Sequence, residues 1–360
     1  MKRNLKITLI TCLALLTTNI YAGNPDRVGQ AGAGQLLINS FGRSSGWGLA
    51  NTAGVRGIES MFLNVGGLAH TPGTELTFSR MNYLRGSDIN INNFGLAQKL
   101  GSGVLGVTLQ AFDIDPIQIT TFDQPEGGIG TFKPQFMNIG IGYSKLFTKT
   151  ISGGIVFRVI SEGISDVKAM GVSLDAGVQY TTKIGDNRGV NKNNFKIGVA
   201  VKNIGPSMRY NGDGLSYKVD KDDINRTATT TSEAFQLPSL IHIGASLDIP
   251  LGEKRTNRLT PALNFTNNSF RNNQTTLGLE FASKEMVMLR VGYGYEEGTF
   301  SYDTRKNVNT GISCGATIEI PFNKEKNNST IALDYSFSDS KPFNNTHVLG
   351  IRINLDSSTD

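Results

Sequence analysis

The sequence has few cysteines, few histidines and little charge for its length. Its 360 residues include two cysteines, three histidines and one tryptophan, and only 18% are charged, below the ~25% of typical soluble domains. Cys12 lies in an apolar leader, which leaves Cys314 without an intrachain disulfide partner. One cysteine and three scattered histidines do not give the ligand spacing of a zinc site. We therefore expect no disulfide framework, no metal site and no cofactor.

Long hydrophobic runs are also missing beyond the leader. No run after residue 22 approaches the ~20 apolar residues of a membrane-spanning helix. Residues 1–22 combine a basic start (Lys2, Arg3 and Lys6), an apolar stretch and a small-residue end, which predicts a cleaved secretory signal peptide. Its removal leaves 32 basic against 30 acidic residues, a net charge of +2. That balance gives no support for a nucleic-acid partner.

The rest of the chain alternates between apolar and polar residues with a period of two, which is the pattern of β-strands. In 172–180, Val172 and Leu174 share one face while Ser173 and Asp175 share the other. Each run is about ten residues long, as a tilted membrane-spanning strand requires. Fourteen candidate strands follow: 75–83, 89–100, 103–114, 135–147, 150–162, 170–182, 195–204, 238–249, 257–266, 274–283, 286–297, 308–320, 328–337 and 345–355.

These strands predict an all-β, 14-stranded antiparallel transmembrane β-barrel over residues 75–355, with a tail at 356–360. If the first strand runs outward, the two longest connections, 115–134 and 205–237, both fall outside, as in outer-membrane barrels. The alternative is a soluble β-sandwich, whose strands are shorter. Ten strand charges share the less apolar face that would line the lumen: Arg158, Asp175, Lys196, Lys202, Asp248, Glu280, Arg290, Glu319, Asp334 and Arg352. Five are basic and five acidic, which predicts ion pairs in a filled interior and not a charge-selective pore.

Residues 23–74 lack a sustained strand pattern and are interpreted as an N-terminal plug or hatch, with a periplasmic tail as the alternative. Twelve lumen-face glycines would let another backbone approach the inner wall: Gly106, Gly140, Gly142, Gly154, Gly177, Gly198, Gly244, Gly278, Gly292, Gly294, Gly315 and Gly350. If the protein carries hydrophobic ligands, an apolar pocket beside the hatch is expected near Leu36, Leu37, Phe41, Met61 and Phe62.

The two long external loops hold apolar residues that a solvated loop does not need, and exposed apolar patches mark contacts. Partner contact and a lid over the barrel mouth are both open interpretations of these loops. The candidate partner-binding residues are Ile117, Ile119, Phe122, Ile129 and Phe132 in the first loop, and Met208, Tyr210, Leu215, Tyr217 and Phe235 in the second.

Catalytic chemistry has little support in the sequence. His242 shares a strand face with Ser246 and Asp248, a set that a barrel hydrolase could use. A lumen histidine held by ordinary hydrogen bonds accounts for the same pattern. We therefore expect a non-enzymatic protein with no catalytic residue.

Five segments of the sequence carry a family resemblance: GQAGAGQLLINSFGRSSGWGLANTAGVRGIESMFLNVGGLA (29–69), TFSRMNYLRGSDIN (77–90), EGGIGTFKP (126–134), KNIGPSMRYNGDGLSY (202–217) and FQLPSLIHIGASLDI (235–249). On these motifs the chain resembles the PorV/PorQ family of outer-membrane proteins, which looks related to FadL-type fatty-acid transporters. The resemblance covers essentially the whole mature chain. It differs at Asn64-Val65-Gly66-Gly67-Leu68, where relatives typically have Asn-Pro-Ala-Gly-Leu.

The resemblance implies a FadL-like barrel, integral to the outer membrane of a Gram-negative bacterium that uses type IX secretion. It implies protein partners: the type IX translocon, the surface attachment complex and the C-terminal signal domains of secreted cargo. Membrane lipid is the other expected contact, and nucleic acid is not expected. The adaptor function is the first hypothesis, and a FadL-like transporter of small hydrophobic molecules is the alternative.

Overall fold

The computed structural model describes residues 27, 29–185, 193–221, 224–252, 256–301, 303, 305–322 and 329–355. The predicted signal peptide (1–22) and C-terminal tail (356–360) lie outside the described residues. So do most of residues 23–28 at the start of the predicted plug.

Among the described residues, fourteen antiparallel wall strands close into a barrel, because the first strand pairs with the last and each of the others pairs with its neighbours. One wall strand consists of two consecutive segments, Leu240–Leu247 and its short continuation Ile249–Leu251. The wall strands are β1 (Thr74–Tyr83), β2 (Ile89–Leu100), β3 (Gly103–Ile114), β6 (Gln135–Leu146), β7 (Ile151–Ile164), β8 (Val167–Thr182), β9 (Phe195–Ile204), β12 (Leu240–Leu247) with β13 (Ile249–Leu251), β14 (Asn257–Asn268), β15 (Gln274–Ser283), β16 (Val287–Glu296), β17 (Asn309–Pro321), β18 (Thr330–Ser340) and β19 (Thr346–Leu355).

The remaining elements are short. Two hairpins lie in the long connections: β4 (Ile117–Gln118) pairs with β5 (Thr131–Phe132), and β10 (Ser216–Lys221) pairs with β11 (Ile224–Thr229). The helical elements are α1 (Gly42–Ser45) and 3-10 turns at Gly34–Leu37, Ile58–Phe62, Val65–His70 and Asp213–Leu215. No helix among the described residues has both the length and the apolar composition needed to cross a bilayer.

The predicted fold is confirmed: all fourteen strands form, in the predicted order. The largest differences are at two ends, where β8 begins at Val167 instead of 170 and β18 ends at Ser340 instead of 337. The predicted strand 238–249 is β12 with β13, shifted by two residues. The two loop hairpins were not predicted, because their short segments show no sustained alternation.

The two faces of the wall differ in polarity as the alternation requires. In β8, Val172, Leu174 and Val178 are exposed on the outer face, while Ser173 and Gln179 are buried on the inner one. The outer face carries exposed large apolar side chains on every wall strand except β14, where Leu259, Leu263 and Phe265 are half-buried. An apolar outside and a polar inside are the reverse of a soluble protein and match a barrel whose outer surface contacts lipid.

Candidate functional site

The long connections 115–134 and 205–239 share one end of the barrel, called here the loop end. The short connections 101–102 and 284–286 share the other, called the turn end. The N-terminal segment, residues 29–73, links the two ends through the interior. Gly32 N–H donates to the Gln236 carbonyl at the loop end (3.1 Å), and Lys99 N–H donates to the Gly73 carbonyl at the turn end (2.9 Å).

Wall glycines let the N-terminal segment lie directly on the inner surface. A Cβ on Gly292 would stand 2.0 Å from the Trp47 carbonyl oxygen, and one on Gly198 would stand 2.6 Å from the Thr52 oxygen. Both atoms belong to backbone, which cannot yield as a flexible side chain would. These positions therefore require glycine for the contact to exist.

Charged side chains of the inner wall form ion pairs across neighbouring strands. Nine of the ten charges assigned to the lumen are buried, and Glu319 is half-buried. Lys202 donates to the Phe62 carbonyl of the N-terminal segment. The paired side chains are Arg158 with Asp175 (3.0 Å), Lys196 with Asp248 (2.8 Å), Arg290 with Glu280 (2.6 Å), and Arg352 with Glu319 (3.2 Å) and Asp334 (3.7 Å).

An apolar cavity of about 460 Å³ lies at the loop end, between residues 29–38 and the strand ends of β1, β2, β3, β6 and β7. Its size is within the ~300–1,000 Å³ of small-molecule sites. Phe112 and Phe136 meet edge to face in its wall, with ring centroids 6.1 Å apart. Its apolar lining side chains are Ile38, Tyr83, Ile89, Phe112, Ile114, Phe136, Tyr210 and Phe235.

A buried carboxylate also lines the apolar cavity. Glu162, near the end of β7, is only 3% exposed. Its Oε1 accepts from Gln35 Nε2 (2.7 Å), and its Oε2 accepts from the Tyr210 hydroxyl. Burial, followed by this hydrogen bond, raises the pKa of Tyr210, so the phenol stays a proton donor. Three elements distant in sequence thus meet at one carboxylate.

A second, more polar cavity of about 500 Å³ lies on the other side of residues 34–39. Its lining includes the charged side chains Lys202, Arg271 and Glu296 and the imidazole of His242. Gly34, Ile38 and Tyr83 line both cavities. The start of the N-terminal segment therefore divides the loop end of the lumen into an apolar and a polar compartment.

The five residues expected near a hydrophobic ligand are placed in two groups. Phe41, Met61 and Phe62 pack in one buried cluster, with the two phenyl centroids 5.1 Å apart. Leu36 is buried with Ile160, Met208 and Leu237, while Leu36, Leu37 and Phe62 line the polar cavity. None of the five lines the apolar cavity, which lies on the opposite side of residues 34–38.

The 115–134 loop is the more exposed of the two long loops. Phe122 is fully exposed, and Ile117, Ile119 and Ile129 are 38–51% exposed. Phe132 is half-buried in the β4–β5 hairpin. The structure thus displays apolar side chains on this loop without a covering element among the described residues.

The 205–239 loop folds back over the barrel mouth. Met208 is buried and pairs with Phe235 by two backbone hydrogen bonds (2.8 and 2.9 Å). The rings of Tyr210 and Phe235 contact each other at a tilt of 39°, with centroids 5.4 Å apart, and both line the apolar cavity. Gly32 lies against the Phe235 ring. Leu215 is half-buried and Tyr217 is exposed. Met208, Tyr210 and Phe235 thus lie where a lid over the barrel mouth would place them.

His242 is buried, and its Nδ1 lies 2.9 Å from the Thr266 hydroxyl. Asp248, six residues further along the chain, forms an ion pair with Lys196 and accepts a hydrogen bond from the Thr260 hydroxyl (2.8 Å). Within the described residues, no group of three or more His, Cys, Asp and Glu side chains is placed to hold a metal ion. The expectation of a non-enzymatic protein stays a prediction.

Comparison with known proteins identifies the fold. The sequence matches no family model and no curated protein. Among solved structures, the toluene transporter TodX of Pseudomonas putida is similar with a TM-score of 0.53 at 11% identity, covering 88% of this chain and 97% of TodX. A FadL homologue of Pseudomonas aeruginosa gives 0.50 at 12% identity, covering 89% and 98%. The barrel has the FadL-like fold. The finer resemblance to PorV/PorQ proteins stays a prediction.

Glu162 was missed in the sequence although a signal was available. It has the same strand parity as Arg158, which was placed on the lumen face. It is the last residue of the predicted strand 150–162 and was not among the predicted lumen charges. Its partners Gln35 and Tyr210 are 127 and 48 residues away, and no local pattern connects them.

Proposed function

We propose that the protein is an integral outer-membrane transporter of small hydrophobic molecules in a Gram-negative bacterium. The apolar cavity at the loop end is the observation that carries this proposal. It has a ligand-sized volume, aromatic and aliphatic walls, and a position at the entrance of a FadL-like barrel. The fold neighbour described as a toluene transporter supports the same substrate class.

The proposed route begins at the apolar cavity and continues past the N-terminal segment, which serves as the hatch. The outer face of the wall, apolar on every strand, contacts the lipid. The 205–239 loop covers the cavity, and Phe235 and Tyr210 control access to it. Ion-paired wall charges close the rest of the lumen to bulk water.

Uptake of radiolabelled naphthalene by cells lacking other FadL-like barrels tests the proposal. Ile114→Trp fills the apolar cavity and is expected to remove the uptake that the wild-type barrel confers. Ile155→Trp changes an exposed outer side chain on β7 and is the matched control, which should retain uptake. Equal uptake by wild-type and Ile114→Trp cells at equal barrel levels would contradict the proposal.

A second candidate is the type IX secretion adaptor, and the exposed 115–134 loop favours it. Phe122 and Ile129 offer an apolar surface that a partner could cover. Phe122→Ser with Ile129→Ser should then reduce co-purification of translocon subunits, attachment subunits or cargo carrying C-terminal signal domains. Phe147→Ser, which changes an exposed aromatic side chain at the turn end, is the control. Retention of no such protein by the wild-type barrel would exclude this candidate.

A further inference from the structure

The apolar cavity carries a charge that its lining does not neutralise. Among the described residues that line it, Glu162 is the one charged side chain, and none is Lys, Arg or His. Both donors to the carboxylate, the Gln35 amide and the Tyr210 hydroxyl, are neutral. Across the described residues, no basic side chain forms an ion pair with Glu162.

Three other buried carboxylates of the wall are paired with basic side chains. Asp175, Asp248 and Glu280 each have a basic side chain within 3.0 Å. A buried charge is costly unless it is paired, so a cation brought by a ligand would supply what Glu162 lacks. A ligand carboxylate would place two like charges together.

The carboxylate has capacity left for such a ligand. An ionised carboxylate offers about four acceptor sites, and Gln35 and Tyr210 use two of them. The rings of Tyr210 and Phe235 lie in the same cavity, and aromatic faces attract cations. The aliphatic and aromatic wall on the other side suits a hydrocarbon chain.

We propose that the apolar cavity selects hydrophobic molecules that end in a cationic amine, which lies against Glu162, over carboxylates of the same chain length. This inference rests on the proposed transport function and names the substrate class of its site. A fatty carboxylate is the ligand that the cavity disfavours.

Calorimetric titration of the full-length barrel in lipid nanodiscs tests the selectivity, with decylamine, decanol and decanoate as probes at pH 7. Empty nanodiscs give the partitioning baseline for each probe. We expect decylamine to bind about tenfold more tightly than decanoate, equivalent to ~1.4 kcal/mol, with decanol between them. Decanoate binding as tightly as decylamine would overturn the selectivity, while decanol binding would leave the transport proposal standing.

Variants assign the selectivity to its residue. Glu162→Gln should bring decylamine and decanoate to equal affinity while decanol affinity stays unchanged. Glu296→Gln, a buried carboxylate on the polar cavity, is the matched control and should keep the wild-type order. Persistence of the amine preference in Glu162→Gln would overturn the assignment.

Two further results keep the test decisive. Folding of each variant is checked by its heat-dependent migration in SDS gels. Tyr210→Phe removes one neutral donor from Glu162 and should strengthen the amine preference, so it tests the inference even if Glu162→Gln fails to fold. Binding of none of the three probes above the nanodisc baseline would overturn both the selectivity and the transport proposal.

Discussion

Arg158 illustrates how single residues hold the N-terminal segment to the wall. Its guanidinium pairs with Asp175, donates to the Met61 carbonyl (3.0 Å) and lies 4.9 Å from the centre of the Phe62 ring. The Arg158 guanidinium thus connects β7, β8 and the N-terminal segment. Because all of these groups are buried, loss of one partner leaves a charge without compensation.

Asp175→Asn should destabilise the barrel by about 3–5 kcal/mol, since it leaves the buried Arg158 unpaired. Unfolding by urea in liposomes, followed by gel migration, measures this change. Asp113→Asn removes an exposed partner of Lys133 and is the control, with an unchanged midpoint expected because surface pairs contribute little. Equal midpoints for the two variants would contradict the argument.

His70 should make stability depend on pH. Burial first, then Arg56 and Lys196, lower its pKa from 6.5 to about 3. Below pH ~6.5 the imidazole is protonated in the unfolded chain, whereas in the folded protein it stays neutral down to pH ~3. The free energy of unfolding therefore decreases as pH falls through this window. At pH 5 the contribution is about 2 kcal/mol, at ~1.4 kcal/mol per pKa unit.

Urea midpoints at pH 7 and pH 5 measure the effect. Wild type should lose more stability between the two pH values than His70→Asn, which has no imidazole to protonate. An equal loss of stability in wild type and His70→Asn would show that the pKa of His70 does not differ between the folded and unfolded states.

At the scale of elements, the fit between the N-terminal segment and the wall strands depends on glycine. In β16, Gly292 meets the backbone of Trp47 and Gly48. In β19, Gly350 has only ordinary van der Waals neighbours, with a Cβ position 3.5 Å from the Ser79 side chain. Gly292 therefore has no room for a Cβ, whereas Gly350, also on the lumen face, does.

Gly292→Ala should destabilise the barrel by at least the ~1–3 kcal/mol of an overpacked core, because its methyl group would displace the Trp47 backbone. Gly350→Ala is the matched control and should be close to neutral. The single tryptophan of the chain, Trp47, provides the readout, since its fluorescence should shift in Gly292→Ala only. A neutral Gly292→Ala with unshifted emission would disprove the close contact.

The strands could be predicted because one face of each strand meets the apolar exterior and the other meets the polar lumen. This difference produces an alternation of apolar and polar residues within each strand. Lumen glycines likewise indicated that a backbone approaches the inner wall. The residues that line the cavities could not be predicted in this way. Tyr210 and Phe235 are apolar loop residues whether they face a partner or the cavity, and the Gln35–Glu162 contact joins residues 127 positions apart. Only tertiary packing decides such pairings.

At the scale of the whole molecule, the N-terminal segment and the balanced wall charges fill much of the described interior. Most of the wall charges form ion pairs, while Lys202 and Glu162 are held by neutral groups. Residues 40–71 are almost entirely buried. The described part of the chain therefore combines a barrel wall with a packed centre and two cavities at the loop end.

Reconstitution in planar bilayers should give no porin-like conductance and no preference for either ion sign. A general porin in the same bilayers is the positive control. Large, stable, ion-selective steps from the wild-type barrel would contradict a filled lumen and would require the N-terminal segment to leave it.

The pairing of β1 with β19 sets the order in which the molecule is assembled. The wall is complete only when the last strand meets the first, yet the N-terminal segment precedes both and ends up enclosed by them. Because the backbone of the segment lies directly against wall glycines on β9 and β16, we expect it to be in place before or while this seam closes. In this order of assembly, the N-terminal segment is an internal template around which the sheet wraps.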